Sequence, residues 1–326
     1  MSFYLYTESA FYHEGDKSIL KKLIDETVHS GASGIKFQVL IDIDSFVSSK
    51  SSSYEIIKPW ILSREDWLEV FGYATAAGLD IILMPLDVAA VELSKSIDVK
   101  YMEVHSVSFK DEALLKALER VKTPLIFGAG GRTLDEISVA VNRFSDRTVV
   151  IMTGFQAFPS KLEEIGLGKI GELAKLFPQS IIGYADHSSY DDEMAVKSCE
   201  YAYILGARIF EKHIALEEGS QRTDFQSAVS ADKIALIIKN LQTIQAVLKD
   251  KSQCFNMCES ELTYRKREKI PVAARSLEAG EILSGKDLTL KMYAGKSCDE
   301  TADMLIGRRL VNDIGYDEPV SGKDIE

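Results

Sequence analysis

The sequence has few of the features that mark secreted or membrane-bound proteins. Its 326 residues include only four cysteines, and no two of them form a CxxC pair, so neither a disulfide framework nor a zinc ribbon is indicated. No apolar run approaches the roughly 20 residues that cross a bilayer. The opening segment MSFYLYTESA lacks the basic and apolar regions of a signal peptide. We therefore expect a cytoplasmic protein with reduced thiols and no membrane partner.

Positive charge is also scarce. The net charge is −12 and the pI is near 5.1, so no basic surface is expected to neutralise the phosphates of a nucleic acid. The cluster Arg265-Lys266-Arg267 is too short to change this expectation. What the chain does have is 46% hydrophobic residues, enough for one large α/β domain and a smaller one.

Eight short apolar runs, each followed by a segment with helical spacing, organise the first 250 residues. They are FYLYT (3–7), GIKFQVL (34–40), DIILMP (80–85), VKYMEVHS (99–106), PLIFGAGG (124–131), TVVIMTG (148–154), IIGY (181–184) and ARIF (207–210). Eight βα units of this size favour a TIM (β/α)8 barrel. An open doubly wound sheet is the alternative, disfavoured because no GxGxxG follows the first run.

Polar side chains follow several of these runs, where a barrel places its active site. His187 and His213 come directly after the seventh and eighth runs. Two imidazoles at neighbouring strand ends can share one divalent cation. Glu8 follows the first run, and Lys36 and Gln38 lie two apart on one face of the second.

The character of the sequence changes after residue 250. We predict a barrel over 1–250, a polar linker over 251–268 and a small β-rich unit over 269–326. The phrases AGEILSGKDL and DEPVSGKDIE are near-duplicates and predict two related turns in that unit.

Several motifs resemble those of the sialic acid synthase family. They are GASGIKFQ (31–38), TPLIFGAGGRTLDEI (123–137), IGYADHS (182–188) and ARIFEKHIAL (207–216). The resemblance implies a barrel that condenses phosphoenolpyruvate with an N-acylated amino-sugar aldehyde, such as N-acetylmannosamine, to give a nonulosonic acid and phosphate. It further implies a C-terminal antifreeze-protein-like (SAF, β-clip) domain. A domain-swapped homodimer, in which that domain caps the partner's barrel, is implied as well.

The same resemblance assigns roles to individual residues. It implies that His187 and His213 bind a divalent metal, Mn²⁺ or Mg²⁺, and that Glu8, Lys36 and Asp224 are catalytic. The substrate-binding residues that it implies are Gln38, Ser106, Gly128, Gly130, Gln156, Phe158, Asp186 and Lys269.

The sequence also departs from the family pattern where phosphoenolpyruvate is expected. Glu103 stands in place of a family lysine, and Gly128, Ala185 and Gln156 replace other polar residues. A carboxylate beside a trianionic ligand is repulsive, so we predict a remodelled donor subsite, with His105 as a candidate compensating cation. A metal-dependent aldolase acting on pyruvate and a non-catalytic paralogue remain as alternatives.

Overall fold

The computed structural model describes residues 2–248, 254–293 and 298–326. The chain divides into two units, Met1–Leu248 and Lys249–Glu326. The domain boundary predicted at 250 and the start of the predicted linker lie outside the described residues. None of the helices in the described ranges combines the length and apolarity needed to span a bilayer.

The first unit is a closed barrel of eight parallel strands in sequence order, which confirms the predicted fold. The strands are β1 (Tyr4–Glu8), β2 (Gly34–Val39), β3 (Asp80–Pro85), β4 (Tyr101–Val104), β5 (Leu125–Gly128), β6 (Val149–Thr153), β7 (Ile181–Asp186) and β8 (Ile209–His213). Alternate side chains point into the barrel and towards the helices, as the twofold period of a strand requires. The inner layer includes Tyr6, Ile82, Ile126 and Val150.

Nine helices are described in this unit, and most of them follow a strand. They are α1 (Lys17–Ser30), α2 (Tyr54–Ile57), α3 (Arg64–Ala76), α4 (Val88–Ser94), α5 (Glu112–Glu119), α6 (Leu134–Arg143), α7 (Gly168–Leu176), α8 (Met194–Leu205) and α9 (Ala231–Leu248). Local sequence determines several of their ends. Thr133 and Glu136 form a reciprocal capping box at the start of α6, and Gly31 ends α1 with a φ of 76°, in the left-handed region that glycine tolerates.

The segment between β2 and α3 is more ordered than its serine-rich sequence suggests. It contains α2, and its apolar residues Phe46 and Ile57 pack on a small cluster that includes Met84 and Leu86 at the end of β3. Because this cluster anchors the segment, Ile57 and Trp60 are fixed beside the carboxyl edge of the barrel.

The second unit contains a short antiparallel pair, β9 (Lys269–Ala273) and β10 (Leu288–Met292). Its helices are α10 (Glu259–Arg265) and α11 (Ala302–Leu305). Helix α10 lies within the predicted linker, so the described part of that segment is not wholly irregular. The unit has its own small core, which includes Leu283, Leu305 and Leu310.

The two SGKD phrases form the same turn, as the repeat predicts. In each, the aspartate Oδ2 accepts hydrogen bonds from the serine N–H and Oγ: 2.8 and 2.6 Å for Ser284 to Asp287, and 3.0 and 2.9 Å for Ser321 to Asp324. The aspartate N–H in turn donates to the serine carbonyl, at 3.0 Å in both turns. The serine and aspartate at this spacing therefore encode the turn locally.

Candidate active site

A cavity of about 550 Å³ opens at the carboxyl edge of the barrel. The strand register determines which polar side chains meet there. Glu8 pairs with Lys36 on one side and with His213 on the other. Ten of the predicted site residues line this cavity, together with Glu103 and Glu211. The ten are Glu8, Lys36, Gln38, Ser106, Gly128, Gly130, Phe158, His187, His213 and Asp224.

Four buried donors form a candidate metal site in this cavity. One ligand atom from each of Glu8, His187, Glu211 and His213 lies within 4.8 Å of the others. The Nε2 atoms of the two histidines are 3.0 Å apart, and His213 Nε2 is 3.1 Å from Glu8 Oε2. Two imidazoles and carboxylate oxygens are a donor set suited to a divalent first-row metal.

The local chemistry of His187 fits a metal ligand. Its Nδ1 lies 3.1 Å from the Ala185 carbonyl, and an N–H donated there leaves the Nε2 lone pair directed at His213. Burial, together with the neighbouring His213, lowers the pKa of His187 to about 3. The imidazole is therefore neutral near pH 7, which is the form that binds a metal.

Lys36 lies at the centre of a second, overlapping cluster. Its Nζ is 3.1 Å from Glu8 Oε2, 3.0 Å from Glu103 Oε2 and 2.6 Å from Glu211 Oε2. The Tyr6 hydroxyl completes the cluster by donating to Glu211 Oε2 at 2.7 Å. Lys36 is only 1% exposed, so these carboxylates replace the water that an ammonium would otherwise require.

The carboxyl groups of this cluster differ in pKa, because burial and neighbouring charges act on them to different extents. Burial raises the pKa of Glu211 well above its usual value, and repulsion from Glu8 adds to the effect. Burial also raises the pKa of Glu103. In Glu8 burial is outweighed by Lys36 and His213, which hold its pKa well below the usual range. Neighbouring carboxyl groups with opposite shifts can hold and transfer a proton.

The end of the cavity where the resemblance places phosphoenolpyruvate, the donor substrate, is formed by the ends of β4 and β5. A Cβ placed on Gly128 would be 3.4 Å from the Ser106 backbone nitrogen and 3.7 Å from Glu103 Oε1. Glu103 therefore borders the space beside Ser106 and Gly128, two of the residues that the resemblance assigns to substrate binding. Gly130 is required by packing, because a Cβ there would be 2.5 Å from the Phe155 carbonyl oxygen.

His105 does not supply the compensating cation considered from the sequence. Its Nδ1 accepts a hydrogen bond from the Val107 N–H at 3.2 Å. Burial, with the nearby charge of Lys36, lowers the pKa of His105 to about 4. The imidazole is therefore neutral near pH 7.

Asp224 is held at the cavity by contacts between the loops that follow β1 and β8. Glu14 Oε1 accepts hydrogen bonds from the Thr223 N–H at 3.1 Å and its Oγ1 at 3.3 Å, and Glu14 Oε2 lies 3.4 Å from Arg222 Nη1. Asp224 itself has a φ of 61°, an uncommon conformation for a non-glycine residue. Burial raises its pKa.

Aromatic side chains form much of the cavity wall. Phe155 packs edge-on against His187, with ring centroids 4.8 Å apart, and stacks on Phe158 at 6.0 Å. Phe11 and Trp60, 5.8 Å apart, line the cavity from the loops after β1 and β2. Gln38 donates its Nε2 to Glu8 Oε1 at 2.8 Å and so orients that carboxylate.

Three of the predicted substrate-binding residues are not among those that line this cavity. Asp186 is fully buried and pairs with Lys212 at 2.5 Å, because both side chains point outward, towards the helices. Gln156 lines a neighbouring groove and donates to the Ile165 carbonyl at 3.3 Å. Lys269 begins β9 in the second unit.

Sequence reasoning did not select Glu211 as a site residue, although a signal was present. Glu211 lies two residues before His213 on β8, so the twofold strand period places both side chains inside the barrel. The sequence showed that Glu103 departs from the family pattern. Its contact with Lys36 was not evident, because it depends on the position of β3 between β2 and β4 in the barrel.

Two family models match the chain. The NeuB family matches residues 23–253, and the SAF domain matches residues 270–326. An uncharacterized protein of Methanocaldococcus jannaschii is 25% identical over 99% of this chain and 94% of its own length. The N,N'-diacetyllegionaminic acid synthase of Legionella pneumophila is 23% identical over 95% of this chain and 91% of its own length.

Solved structures support the same fold. A putative spore coat polysaccharide biosynthesis protein E from Chromobacterium violaceum superposes with a TM-score of 0.87 at 20% identity, and the match covers both chains completely. The N-acetylneuraminic acid synthetase of Leptospira borgpetersenii superposes with a TM-score of 0.73 at 21% identity, covering 81% of this chain and 92% of that one.

The motif resemblance noted from the sequence is confirmed by these matches, which span both units. The chain belongs to the NeuB family and carries a C-terminal SAF domain.

Proposed function

We propose that this protein is a metal-dependent synthase that condenses phosphoenolpyruvate with an N-acylated amino-sugar aldehyde, to give a nonulosonic acid and phosphate. The observation that carries the proposal is the buried set Glu8, His187, Glu211 and His213 beside Lys36, all on one cavity. The names of relatives agree with it, since they include legionaminic acid, pseudaminic acid and N-acetylneuraminate-9-phosphate synthases.

His187 and His213 would hold the metal, Mn²⁺ or Mg²⁺, together with Glu8 or Glu211. A divalent cation bound there would polarise the aldehyde carbonyl as a Lewis acid. In the reaction, carbon 3 of the donor forms a bond to the aldehyde carbon. Water adds at carbon 2, and phosphate leaves with cleavage of the C–O bond.

The protein groups around the cavity would orient the substrates and move protons. Glu8 is held by Gln38, and whichever of Glu8 and Glu211 does not hold the metal is placed to transfer a proton. Lys36 would bind an anionic group of the donor, and Asp224 a hydroxyl or amide of the sugar. Asp186 would act indirectly, because its pair with Lys212 links the strand ends that carry the two histidines.

A second candidate function is a metal-dependent aldolase that uses pyruvate. The specific observation in its favour is that Lys36 already contacts three carboxylates, which leaves a donor phosphate without an available ammonium. A non-catalytic paralogue is disfavoured by the four metal donors, since an unused buried cluster of this kind is costly to maintain.

One experiment separates these functions. The protein is incubated with Mn²⁺, a panel of amino-sugar aldehydes and either phosphoenolpyruvate or pyruvate, and both phosphate and the nonulosonic acid are measured. Product with stoichiometric phosphate supports the synthase, and product from pyruvate without phosphate supports the aldolase. Absence of product with either donor contradicts both functions.

We also propose a cytoplasmic homodimer in which residues 269–326 of each chain cap the partner's barrel. The support is the family resemblance and the small core of the second unit, which would gain from packing on another surface. Mixing an inactive barrel variant with a variant whose second unit is impaired should restore activity if the units are exchanged. A fully active monomer in solution would contradict the proposal.

A further inference from the structure

The contacts of Lys36 raise the question of how a phosphorylated donor could use it. An ammonium group has three N–H donors, and three carboxylate oxygens lie within 3.1 Å of Lys36 Nζ. Two of these contacts, with Glu103 and Glu211, are hydrogen bonds, and the contact with Glu8 is an ion pair. A phosphate that binds Lys36 must therefore compete with carboxylates that already compensate its charge.

Glu103 differs from the other two partners of Lys36. Glu8 and Glu211 belong to the candidate metal-binding set, so whichever of them holds the metal is engaged there. Glu103 is outside that set and keeps its contact with Lys36 at 3.0 Å. This contact does not require Glu103 to be ionised, because a protonated carboxyl group still accepts an N–H through its carbonyl oxygen.

The cavity offers little to replace Lys36. Among the described barrel residues that line it, Lys36 is the one lysine or arginine. His105 is neutral near pH 7 because its pKa is lowered to about 4. The other Glu103 oxygen faces the space beside Gly128, where it would meet a phosphate held by the Ser106 region.

From this geometry we propose that Glu103 is a specificity-determining residue that withholds Lys36 from the phosphate of the donor. The barrel consequently binds a phosphorylated three-carbon acid weakly, while a three-carbon acid recognised by its carboxylate alone is unaffected. The inference rests on the proposed function, because it assumes that a three-carbon donor occupies this end of the cavity.

The test is a calorimetric titration of phosphoenolpyruvate and of pyruvate into the Mn²⁺-loaded protein and its Glu103→Met variant. Methionine keeps the length of the side chain but removes both oxygens that can accept from Lys36. We expect the variant to bind phosphoenolpyruvate about tenfold more tightly, since one charge-assisted contact is restored, and to bind pyruvate within about twofold of the unmodified protein. Glu112→Met, at an exposed glutamate on α5, is the matched control.

The unmodified protein provides a second measurement that does not depend on how the variant folds. Phosphoenolpyruvate binding no tighter than pyruvate binding supports the proposal. Micromolar affinity for phosphoenolpyruvate, unchanged or weakened by Glu103→Met, overturns it. If phosphoenolpyruvate binds tightly and synthase product forms, only the proposed role of Glu103 is contradicted. If no product forms with either donor, the proposed function is contradicted.

Discussion

The two ends of the cavity differ in how far they follow the family pattern. At the β7, β8 and β1 end, His187, His213 and Glu8 are present as the resemblance implies, and one ligand atom of each lies within 4.8 Å of the others. At the β4 and β5 end, Glu103 stands where the resemblance predicts a lysine, and it contacts the neighbouring Lys36. The comparison indicates that one end of a cavity can keep the family pattern while the other changes charge, because the two ends come from different strands.

The largest expected effect concerns the metal-binding half. His213→Ala or His187→Ala should lower Mn²⁺ affinity by more than the roughly 10–100-fold that follows loss of an outer-shell partner, because a direct ligand is removed. Electron paramagnetic resonance of Mn²⁺ would measure this, with His29→Ala as the control, since His29 is exposed on α1. Full metal affinity in both variants would contradict the role of these histidines as ligands, and the contrast between the two ends of the cavity would lose its basis.

The second prediction concerns the buried Asp186–Lys212 ion pair, which joins the ends of β7 and β8 and is expected to contribute to the stability of the fold. Lys212→Met should lower the free energy of unfolding by about 3–5 kcal/mol, because it leaves Asp186 buried without a partner. Chemical denaturation measures the change. Lys175→Met, in the exposed pair with Glu172, should cost no more than about 1 kcal/mol, and equal effects of the two changes would contradict the prediction.

A smaller effect is expected at the loops that position Asp224. Glu14→Ala removes the acceptor for the Thr223 N–H and Oγ1, so kcat should fall about tenfold through misplacement of Asp224. Glu14→Gln should restore most of the rate, because its amide oxygen can accept the same bonds. An exposed control, Glu163→Ala, should leave kcat unchanged, and a loss of fold in Glu14→Ala would appear in its circular dichroism.

The smallest effect is expected at His105, in the donor half. Because its pKa is lowered to about 4, His105 is neutral above about pH 5 and gains no charge between pH 5.5 and 8. His105→Asn keeps an acceptor for the Val107 N–H, so donor affinity should change by less than about twofold and its pH profile in this range should not shift. A tenfold gain of donor affinity below pH 6.5 that disappears in the variant would show instead that His105 is the missing cation.

Much of the fold was accessible from the sequence because it is encoded locally. The eight apolar runs predicted the eight strands, and the Thr133–Glu136 spacing predicted the cap of α6. The serine and aspartate of each SGKD phrase predicted a repeated turn. These features depend on residues a few positions apart, so no knowledge of the rest of the chain is needed.

Part of the candidate site was accessible for the same reason. His187 and His213 are recognisable because both follow strands, and parallel strands end at one edge of a barrel. Asp186 was misleading because it lies next to His187 in the sequence, yet its side chain points the other way along the alternating strand. Gln156 likewise bonds to Ile165 in a neighbouring groove.

The sequence by itself was thus enough to predict the order of the elements, the family, and the two histidines of the candidate metal site. Only the tertiary structure decided that Lys36 is surrounded by Glu8, Glu103 and Glu211, residues up to 175 positions away in the chain. The physical reason is that the closed barrel fixes strand register, and register decides which buried charges meet. Burial raises the pKa values of Glu103 and Glu211, whereas Lys36 and His213 lower that of Glu8, an outcome that no single segment of the sequence encodes.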